Sequence, residues 1–332
     1  MKRKKKKLKK KRNKIPIRRN KMSNRKKSTS IMSRLFIIAL VAVFAIILIM
    51  LMAGGRYAKQ SGLTFVGFVT KAGEDTVPKS GTIYYSDGMT AKVTDCGFTV
   101  TFSDGTVVEN AVKLEFANGD VYEGKIRDYR MNGKGKYTWS SEDCYEGDFV
   151  SDAFTGKGTL YYSEGEVYIG EFTDGMKNGK GVFLWNDCDT SDLAAFNYDA
   201  IMAQGENLTS LTAKELPAGT WYVGTFENND KSGKGVYHHG SEDVYVGNFS
   251  NNGKNGKGKF FFAKGDIYDG DYKDDVISGT GTYLWDGGDK YEGEFAEGAM
   301  NGKGKYTKAD GKVIEGTFVN NEHVSDAEES KE

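Results

Sequence analysis

From residue 120 onward, apolar and charged positions alternate in short runs that are separated by turn residues. Tyr122, Gly124 and Ile126 share one parity, and Glu123 and Lys125 take the other. A period of two with one charged side is typical of a half-buried antiparallel β-strand. A second run with the same alternation follows a few residues later, so the pattern predicts a pair of short strands.

This two-strand pattern recurs along the chain. Each unit opens with a tyrosine that is followed two positions later by glycine, and the spacing from one unit to the next is constant except across one longer gap, from Tyr168 to Tyr222. The opening tyrosines are Tyr122, Tyr145, Tyr168, Tyr222, Tyr245, Tyr268 and Tyr291, and the glycines that follow them are Gly124, Gly147, Gly170, Gly224, Gly247, Gly270 and Gly293. A second half with Gly-x-Gly completes each unit, and a partial eighth unit begins at Ile314. Repetition at a fixed period predicts a repeat architecture.

The repeated motif is similar to that of a known family. Tyr-x-Gly-x-aromatic followed by Gly-x-Gly-x-aromatic, at the constant spacing of these units, resembles the MORN repeat (membrane occupation and recognition nexus) over residues 120–318. The resemblance implies an elongated ribbon of antiparallel hairpins without catalytic activity, used in membrane-proximal scaffolding. We therefore expect an all-β fold, a single-layer antiparallel meander of tandem β-hairpins, with no catalytic residue, no metal and no cofactor.

The abundance of glycine indicates how such a ribbon holds together. Glycine accounts for 43 of 332 residues, and aromatic residues for 13%. A single-layer sheet has no second layer to cover its apolar side, so we expect Tyr and Phe rings to lie over the bare backbone of glycine in neighbouring strands. Between units, dipeptides such as Asn118-Gly119, Lys264-Gly265 and Asp310-Gly311 predict two-residue hairpin turns.

The start of the chain differs in character from the rest. Residues 1–34 contain 18 Lys or Arg and no acidic residue, which leaves 28 basic against 46 acidic residues in the remainder. Residues 35–55 carry no charge, and this run is long enough for one helix to cross a bilayer. Because basic residues stay in the cytoplasm, we predict a single-pass signal-anchor in the cell membrane, with a cytoplasmic N-terminus and extracytoplasmic repeats. A cleaved signal peptide is the alternative.

The basic tail is expected to be disordered and to adhere to anionic lipid at the membrane surface. The residues expected to face that lipid are Lys4, Lys5, Lys6, Lys7, Arg18, Arg19, Lys26 and Lys27. Nucleic acid attracts such a tail as well, but the pattern predicts no specific nucleic-acid site.

Changes of pattern divide the remaining chain. Residues 56–118 are interpreted as irregular β-hairpins, either degenerate repeats or a cap. Residues 119–189 hold units one to three, and residues 221–319 hold units four to seven and the partial eighth. Residues 320–332 are predicted to be an acidic, disordered tail.

Residues 190–220 are an insertion within one turn between units. Asp192 is predicted to cap a helix, and Gly205 to end it. The apolar residues of that helix are Leu193, Phe196 and Ile201. Two interpretations stay open: a surface decoration, or a lid or partner-docking element, since insertions in solenoids collect on functional faces. Deletion of the insertion is expected to leave the fold intact.

Few residues indicate chemistry. The Gly-Lys-Gly repeats are not a phosphate-binding P-loop, because glycine follows each lysine where that loop needs Ser or Thr, and a strand follows where it needs a helix. Cys96, Cys144 and Cys188 allow one disulfide, whose pairing the sequence leaves open.

Two ladders of like charge recur once per unit. Each is either a surface that grips an extended polymer of opposite sign or a solvated face with cross-strand ion pairs. The basic ladder is Lys134, Lys157, Lys180, Lys234, Lys257 and Lys303, and the acidic ladder is Asp120, Asp143, Glu166, Asp243, Asp266 and Asp289.

Together these features predict a non-enzymatic, membrane-anchored scaffold that binds a protein or an envelope polymer. The candidate binding surface consists of the seven opening tyrosines with Trp139, Trp185 and Trp285. One alternative is a carbohydrate-binding module, favoured if the three tryptophans are exposed in one row. Another is an enzyme with its site at residues 190–220. The identity of the partner and the number of subunits stay open.

Overall fold

The computed structural model describes residues 55–60, 62–72, 75–209 and 212–324. Within them, 21 strands form one antiparallel sheet, and each strand pairs with the next strand in sequence. The predicted all-β antiparallel meander is therefore confirmed. The predicted basic tail and the predicted membrane helix, apart from Gly55, lie outside the described residues, as do residues 325–332 of the acidic tail.

Five strands precede the units. They are β1 (Arg56–Gln60), β2 (Leu63–Ala72), β3 (Asp75–Tyr84), β4 (Thr90–Thr101) and β5 (Val107–Phe116). The β2–β3 hairpin has the same geometry as a unit, because Phe65 lies opposite Ile83 and Gly67 lies opposite Gly81. Phe65 is fully buried, as the opening tyrosines are.

Each unit contributes two strands. The first three units form β6 (Val121–Arg127), β7 (Arg130–Thr138), β8 (Cys144–Val150), β9 (Ala153–Tyr161), β10 (Val167–Thr173) and β11 (Met176–Leu184). The next four form β12 (Trp221–Glu227), β13 (Asp230–His238), β14 (Val244–Ser250), β15 (Gly253–Phe261), β16 (Ile267–Lys273), β17 (Val276–Leu284), β18 (Lys290–Ala296) and β19 (Ala299–Thr307). The sheet ends with β20 (Val313–Val319) and β21 (Glu322–Val324).

The two-residue turns lie inside the units and not between them, where they were predicted. The predicted two-residue turn at Asn118-Gly119 is wrong, since residues 117–120 separate β5 from β6 and Gly119 takes φ 95°. The two-residue turns lie inside the units, where both residues have positive φ, as in Asn228 (50°) and Asn229 (76°). Positive φ at both positions is the type I′ turn that matches the twist of a hairpin. Asn and Asp tolerate this conformation, so these turns form without Asn-Gly.

The seven opening tyrosines share one side of the sheet, which we call the aromatic face. Each is fully buried. The Tyr268 ring lies against Gly281 so closely that a methyl group there would meet its atoms at 2.6–2.7 Å. Glycine is therefore needed because the ring occupies the space of a side chain, as expected from the sequence.

Ring packing joins neighbouring units on the aromatic face. Tyr245 makes edge-to-face contacts with Phe249 of its own unit, at 5.2 Å between centroids, and with Tyr272 of the next unit, at 5.1 Å. Its hydroxyl donates to the Asn248 carbonyl over 3.0 Å. The same contacts recur along the ribbon, so one apolar cluster extends from Leu63 to Phe318.

Carboxylates of the acidic ladder accept hydrogen bonds from the loops between units. Asp266 accepts hydrogen bonds from the Tyr283 hydroxyl (2.6 Å) and from the backbone N–H of Asp286 in the next loop (3.0 Å). Asp289 accepts from Tyr306 (2.5 Å) and Ala309 (2.9 Å) in the same way. Asp120, Asp143 and Asp243 each accept a backbone N–H from the following loop as well. These carboxylates are thus part of the fold.

No helix in the described part of the chain combines the length and the apolar character that crossing a membrane requires.

Candidate binding surfaces

The insertion folds as a short layer over the sheet. A 3₁₀ turn at Leu193–Phe196 leads into helix α1 (Tyr198–Glu206), and a second 3₁₀ turn covers Thr212–Glu215. Asp192 caps the first 3₁₀ turn, as its carboxylate accepts from the Ala194 N–H. Asn197 caps α1 by accepting from the Ala200 N–H over 2.9 Å. The predicted single helix beginning at Asp192 is therefore two elements with two caps.

Gly205 does not end the helix, as it was predicted to do. It lies inside α1, and the helix ends at Glu206 with Asn207 as the capping residue. A methyl group on Gly205 would meet the Val236 side chain at 2.5 Å. Glycine at this position therefore lets α1 approach the sheet closely.

The insertion packs on the side of the sheet away from the opening tyrosines, which we call the opposite face. Val182, Val223 and Val236 lie beneath it and are at most 3% exposed. Trp221 completes this second core: it is fully buried, stacks on His238 at 5.2 Å, and donates to the Pro217 carbonyl over 2.8 Å. In the uncovered units, Lys259, Thr282 and Lys305 occupy the position of Val236. The insertion thus covers an apolar patch that only the central units carry.

The β4–β5 hairpin covers another part of the opposite face. Its tip is fixed at Ser103, whose N–H and hydroxyl donate to Glu146 over 2.8 and 2.6 Å. Lys136 pairs with the same carboxylate at 2.9 Å, and the Tyr161 hydroxyl donates to Ser103 over 2.6 Å. Burial alone would raise the pKa of Glu146, but the hydrogen bonds from Ser103 and Lys136 outweigh it and lower the pKa.

A groove of about 590 Å³ separates the hairpin tip from the insertion. Its floor includes Lys157 and Ile169, and its insertion side includes Leu193 and Tyr198. A smaller groove of about 410 Å³ lies between α1 and the following units. Sequence reasoning did not find either groove, because both depend on where the two covering segments dock.

Most of the basic ladder is paired on the opposite face. Four members lie 2.8–3.9 Å from a carboxylate: Lys134 with Asp148, Lys180 with Asp199, Lys234 with Glu206 and Lys257 with Asp271. Lys157 and Lys303 make no ion pair with the described residues. The predicted cross-strand pairs are present at Lys134 and Lys257, which register places opposite Asp148 and Asp271.

The candidate tryptophans lie on the aromatic face beside the buried tyrosines. Trp139, Trp185 and Trp285 are half-buried, each against the aromatic residue two positions earlier, at 4.5–5.0 Å between centroids. They belong to one row at equivalent positions of six successive units, which we call the outer row: Trp139, Tyr162, Trp185, His239, Phe262 and Trp285. Because the opening tyrosines are fully buried, a ligand on this face would contact the outer row rather than those tyrosines.

Three lysines interrupt the aromatic face in the middle of the ribbon. Lys177, Lys231 and Lys254, here called the central lysines, pair in register with Phe172, Phe226 and Phe249. Lys177 lies 4.9 Å from the Phe183 ring, and Lys231 lies 4.9 Å from the Tyr237 ring. Burial lowers the pKa of both amines.

The repeat pattern of the sequence contains a signal for the central lysines. The same position holds Met131, Phe154, Ile277 and Met300 in the other units. Lysine therefore occupies this otherwise apolar position in three consecutive units, which lie in the middle of the ribbon.

The three cysteines are free thiols. Cys188 donates to the Thr220 carbonyl over 2.9 Å, and burial raises its pKa to about 11. Among the described residues, no group of three or more His, Cys, Asp or Glu side chains is placed to hold a metal ion.

Seven segments of the chain match the model of the MORN repeat. They are residues 122–144, 145–167, 168–187, 222–244, 245–267, 268–290 and 291–313. No curated protein sequence matches the chain.

Two solved structures are similar to the chain only at a low level. The TCP domain of SAS-4 (dCPAP) from Drosophila melanogaster, in complex with a proline-rich motif of Ana2 (dSTIL), is 12% identical, with 80% of this chain and 90% of that chain covered and a TM-score of 0.19. A streptogramin B lyase is 10% identical, with coverages of 80% and 86% and a TM-score of 0.14. At these TM-scores neither structure bears on fold or function.

Proposed function

The chain carries seven segments that match the MORN repeat, and from that premise we propose that it is a non-enzymatic scaffold, held in the cell membrane by residues 35–55. The basic tail stays in the cytoplasm and adheres to anionic lipid, and the repeats stand outside. The scaffold binds its partner through the aromatic face. The partner is a protein with acidic side chains, and an envelope polymer is the second possibility.

The central lysines beside the outer row carry this proposal. A half-buried lysine loses hydration, and neighbouring rings compensate for this only in part. Lys231 lies 4.9–5.7 Å from the centroids of four rings and makes no ion pair with the described residues. An acidic group of a partner would supply the counter-charge that Lys231 lacks, whereas Lys254 already pairs with Asp275 at 3.3 Å. Trp185 and the rest of the outer row would supply apolar contact. Aromatic residues are enriched at the centres of protein interfaces.

Reversal of the central lysines tests this proposal. We expect the full chain to capture a protein from envelope extracts, and Lys177→Glu, Lys231→Glu and Lys254→Glu together to abolish the capture. The matched control reverses Lys180, Lys234 and Lys257, which lie on the same three strands but on the opposite face. Equal capture by both variants, with unchanged circular dichroism, would reject the aromatic face as the binding surface.

A carbohydrate-binding module remains the second candidate, because Trp139, Trp185 and Trp285 do lie in one row. They are half-buried, so only part of each indole could stack on a sugar. Capture of a polysaccharide that survives reversal of the central lysines and is lost in Trp185→Ala would favour this candidate. An enzyme at the insertion is less favoured, since Lys180 and Asp199 there are exposed and paired with each other at 3.2 Å.

The membrane topology has its own test. Protease added to intact cells is expected to remove the repeats and to spare the basic tail. Repeats that resist protease until the membrane is broken would contradict the proposed orientation.

A further inference from the structure

The three tryptophans of the outer row keep their indole N–H groups free. None of the Nε1 atoms of Trp139, Trp185 and Trp285 donates a hydrogen bond to a residue that the structure describes. The buried Trp221 differs, since its Nε1 donates to the Pro217 carbonyl over 2.8 Å. The three free groups are not sealed from solvent. They can therefore donate to carbonyl oxygens of a ligand that lies along the row.

A free hydroxyl adds another donor in the middle of the ribbon. The Tyr283 hydroxyl donates to Asp266 of the acidic ladder. At the equivalent place beside Tyr237, the ladder position holds Thr220 instead of a carboxylate, and the Thr220 hydroxyl donates to Asp187 over 2.7 Å. The Tyr237 hydroxyl consequently makes no hydrogen bond with the described residues. The replacement of one ladder carboxylate thus leaves this hydroxyl available to a ligand.

Trp185, Lys231 and Tyr237 form a compact group on the aromatic face, which we call the central cluster. The Lys231 amine lies 5.6 Å from the centroid of the Trp185 ring and 4.9 Å from that of the Tyr237 ring. The two rings lie 5.6 Å apart. One site therefore offers an ammonium group, an indole N–H and a hydroxyl beside two aromatic rings. This combination is complementary to a carboxylate next to main-chain carbonyl groups.

The spacing of the outer row selects the conformation of the ligand. Equivalent positions in successive units are two strands apart, which is about 9.6 Å, and the row is unbroken at the insertion because β11 pairs with β12. A polyproline II helix repeats every three residues, or about 9.3 Å. A β-strand returns to the same side after about 6.6 Å and an α-helix after about 5.4 Å, so neither follows the row. Polyproline II also leaves its carbonyl groups without internal hydrogen bonds, so they are free to accept from the row.

We propose that the partner of the aromatic face presents a proline-rich segment in the polyproline II conformation. This inference rests on the proposed function, since it uses the same face. The segment lies across the strands along the outer row and places one of every three residues against each unit. Its carbonyl groups accept from the indole N–H groups, and an acidic residue of the segment pairs with Lys231. Proline rings pack on the aromatic side chains, and the preformed helix loses little entropy on binding.

Synthetic peptides test the proposal on the full chain in lipid nanodiscs. The first probe is a twelve-residue peptide of proline with one central glutamate, about 37 Å long and so able to follow four units. The second probe replaces the prolines with alternating glycine and serine and keeps the glutamate. By titration calorimetry we expect the flexible probe to bind at least about tenfold more weakly than the proline probe. Equal binding of the two probes, or no binding of either, would overturn the proposal.

Three variants locate the peptide. Trp185→Phe keeps an aromatic ring but removes the indole N–H, and is expected to weaken binding of the proline probe about fivefold. Lys231→Glu is expected to weaken it at least about tenfold, and a proline probe with lysine in place of glutamate should restore binding. Lys303→Glu makes the same change of charge on the opposite face and should leave binding unchanged. Circular dichroism and urea midpoints equal to those of wild type show that each variant is folded.

Two results of these variants would contradict the proposed position of the segment. Unchanged binding in Trp185→Phe would show that the indole N–H does not donate to the peptide. Equal losses in Lys231→Glu and Lys303→Glu would show that net charge alone governs binding.

The outcomes separate this inference from the proposed function. Capture of a protein that is lost on reversal of the central lysines, together with no binding of the proline probe, would overturn the polyproline conformation and leave the proposed function standing. Capture that survives the reversal would reject the proposed function instead, and with it the inference that rests on it.

Discussion

The two faces of the same strands differ in how regularly their residues recur from unit to unit. On the aromatic face, every complete unit has a buried tyrosine over paired glycines, with an aromatic side chain from the next unit or partial unit against each of these rings. On the opposite face, the central units carry Val182, Val223 and Val236 under the insertion, whereas later units carry Thr282 or Lys305 in the open. The aromatic face therefore specifies the ribbon, and the opposite face specifies what docks on each part of it.

The comparison also explains why the ribbon needs no second layer. Edge-to-face ring contacts add roughly 0.5–1.5 kcal/mol per pair beyond the buried area, and they recur at each unit. Stability then accumulates along the stack from nearest-neighbour contacts. The opposite face is free to vary, because little of the cohesion between units depends on it.

The largest change in stability is expected when a unit beneath the insertion receives the charged residues that the uncovered units carry on the opposite face. Val223→Glu with Val236→Lys places charges beneath α1, at sites at most 1% exposed, and is expected to cost the docked insertion about 4 kcal/mol. Amide exchange in Tyr198–Glu206 should accelerate strongly, while exchange in β12 and β13 stays slow. Thr282→Lys, at the uncovered equivalent of Val236, should change stability by less than about 0.5 kcal/mol.

If protection from amide hydrogen exchange were lost equally from α1 and from the strands, the insertion and the ribbon would form one cooperative unit. The covered valines also bear on the expectation that deletion of the insertion leaves the fold intact. Because deletion exposes Val182, Val223 and Val236, we now expect the shortened chain to aggregate.

A smaller effect is expected from filling the space beneath a ring on the aromatic face. Gly281→Ala is expected to lower the free energy of unfolding by about 2–3 kcal/mol, because the new methyl group overlaps the Tyr268 ring. Gly287→Ala is the matched control, since nothing lies within 4 Å of a methyl group at that position. Urea unfolding followed by tyrosine fluorescence measures both. Equal midpoints would show that the glycines are not needed for ring packing.

The acidic ladder predicts a pH-dependent contribution of about 1–2 kcal/mol per loop. Burial would raise the pKa of Asp266, but hydrogen bonds from Lys264, Tyr283 and Asp286 outweigh it and hold the pKa below its ordinary 3.8. A folded-state pKa below the unfolded value stabilises the protein above the unfolded pKa, and this stabilisation is lost as pH falls through the folded pKa. Asp266→Asn should therefore be less stable than wild type at pH 7.

The difference between wild type and Asp266→Asn should begin to shrink as the pH falls below the unfolded pKa, and it should be smallest below the lowered folded-state pKa, where the wild-type carboxyl is protonated. Thermal unfolding between pH 2 and pH 8 measures it. A difference that is constant over this range would mean that the carboxylate charge plays no part in fastening the loops.

The smallest effect is expected on the exposed part of the opposite face. Lys257 and Asp271 form a 2.8 Å ion pair, but the lysine side chain is 67% exposed. Lys257→Ala should change stability by less than about 0.5 kcal/mol, and less still in high salt. A loss above about 1 kcal/mol would show that ion pairs on this face hold neighbouring units together.

Much of the aromatic face could be predicted from the sequence. The parity of Tyr268, Gly270 and Tyr272 gave the strand and its buried side, because a period of two depends only on local geometry. The spacing of the units gave the meander. Paired glycines facing each tyrosine followed from the bare backbone that a covering ring needs.

The opposite face could not be predicted to the same extent. The valines beneath the insertion look like ordinary strand residues until α1 is placed on them, and Ser103 gives no sign of its contact with Glu146, which is distant in sequence. Such contacts depend on the docking of distant segments. The turns were mistaken for a related reason: Asn118-Gly119 has the composition of a two-residue hairpin, but the longer loop lets Asp120 bond to the next loop.

A double-mutant cycle at Tyr268 and Gly281 gives the sharpest test of ring packing over bare backbone. We expect Gly281→Ala to cost about 2–3 kcal/mol when Tyr268 is present and close to nothing in the Tyr268→Ala background, where the ring no longer occupies the space. The same cost in both backgrounds would contradict the claim that rings over bare backbone hold the ribbon together.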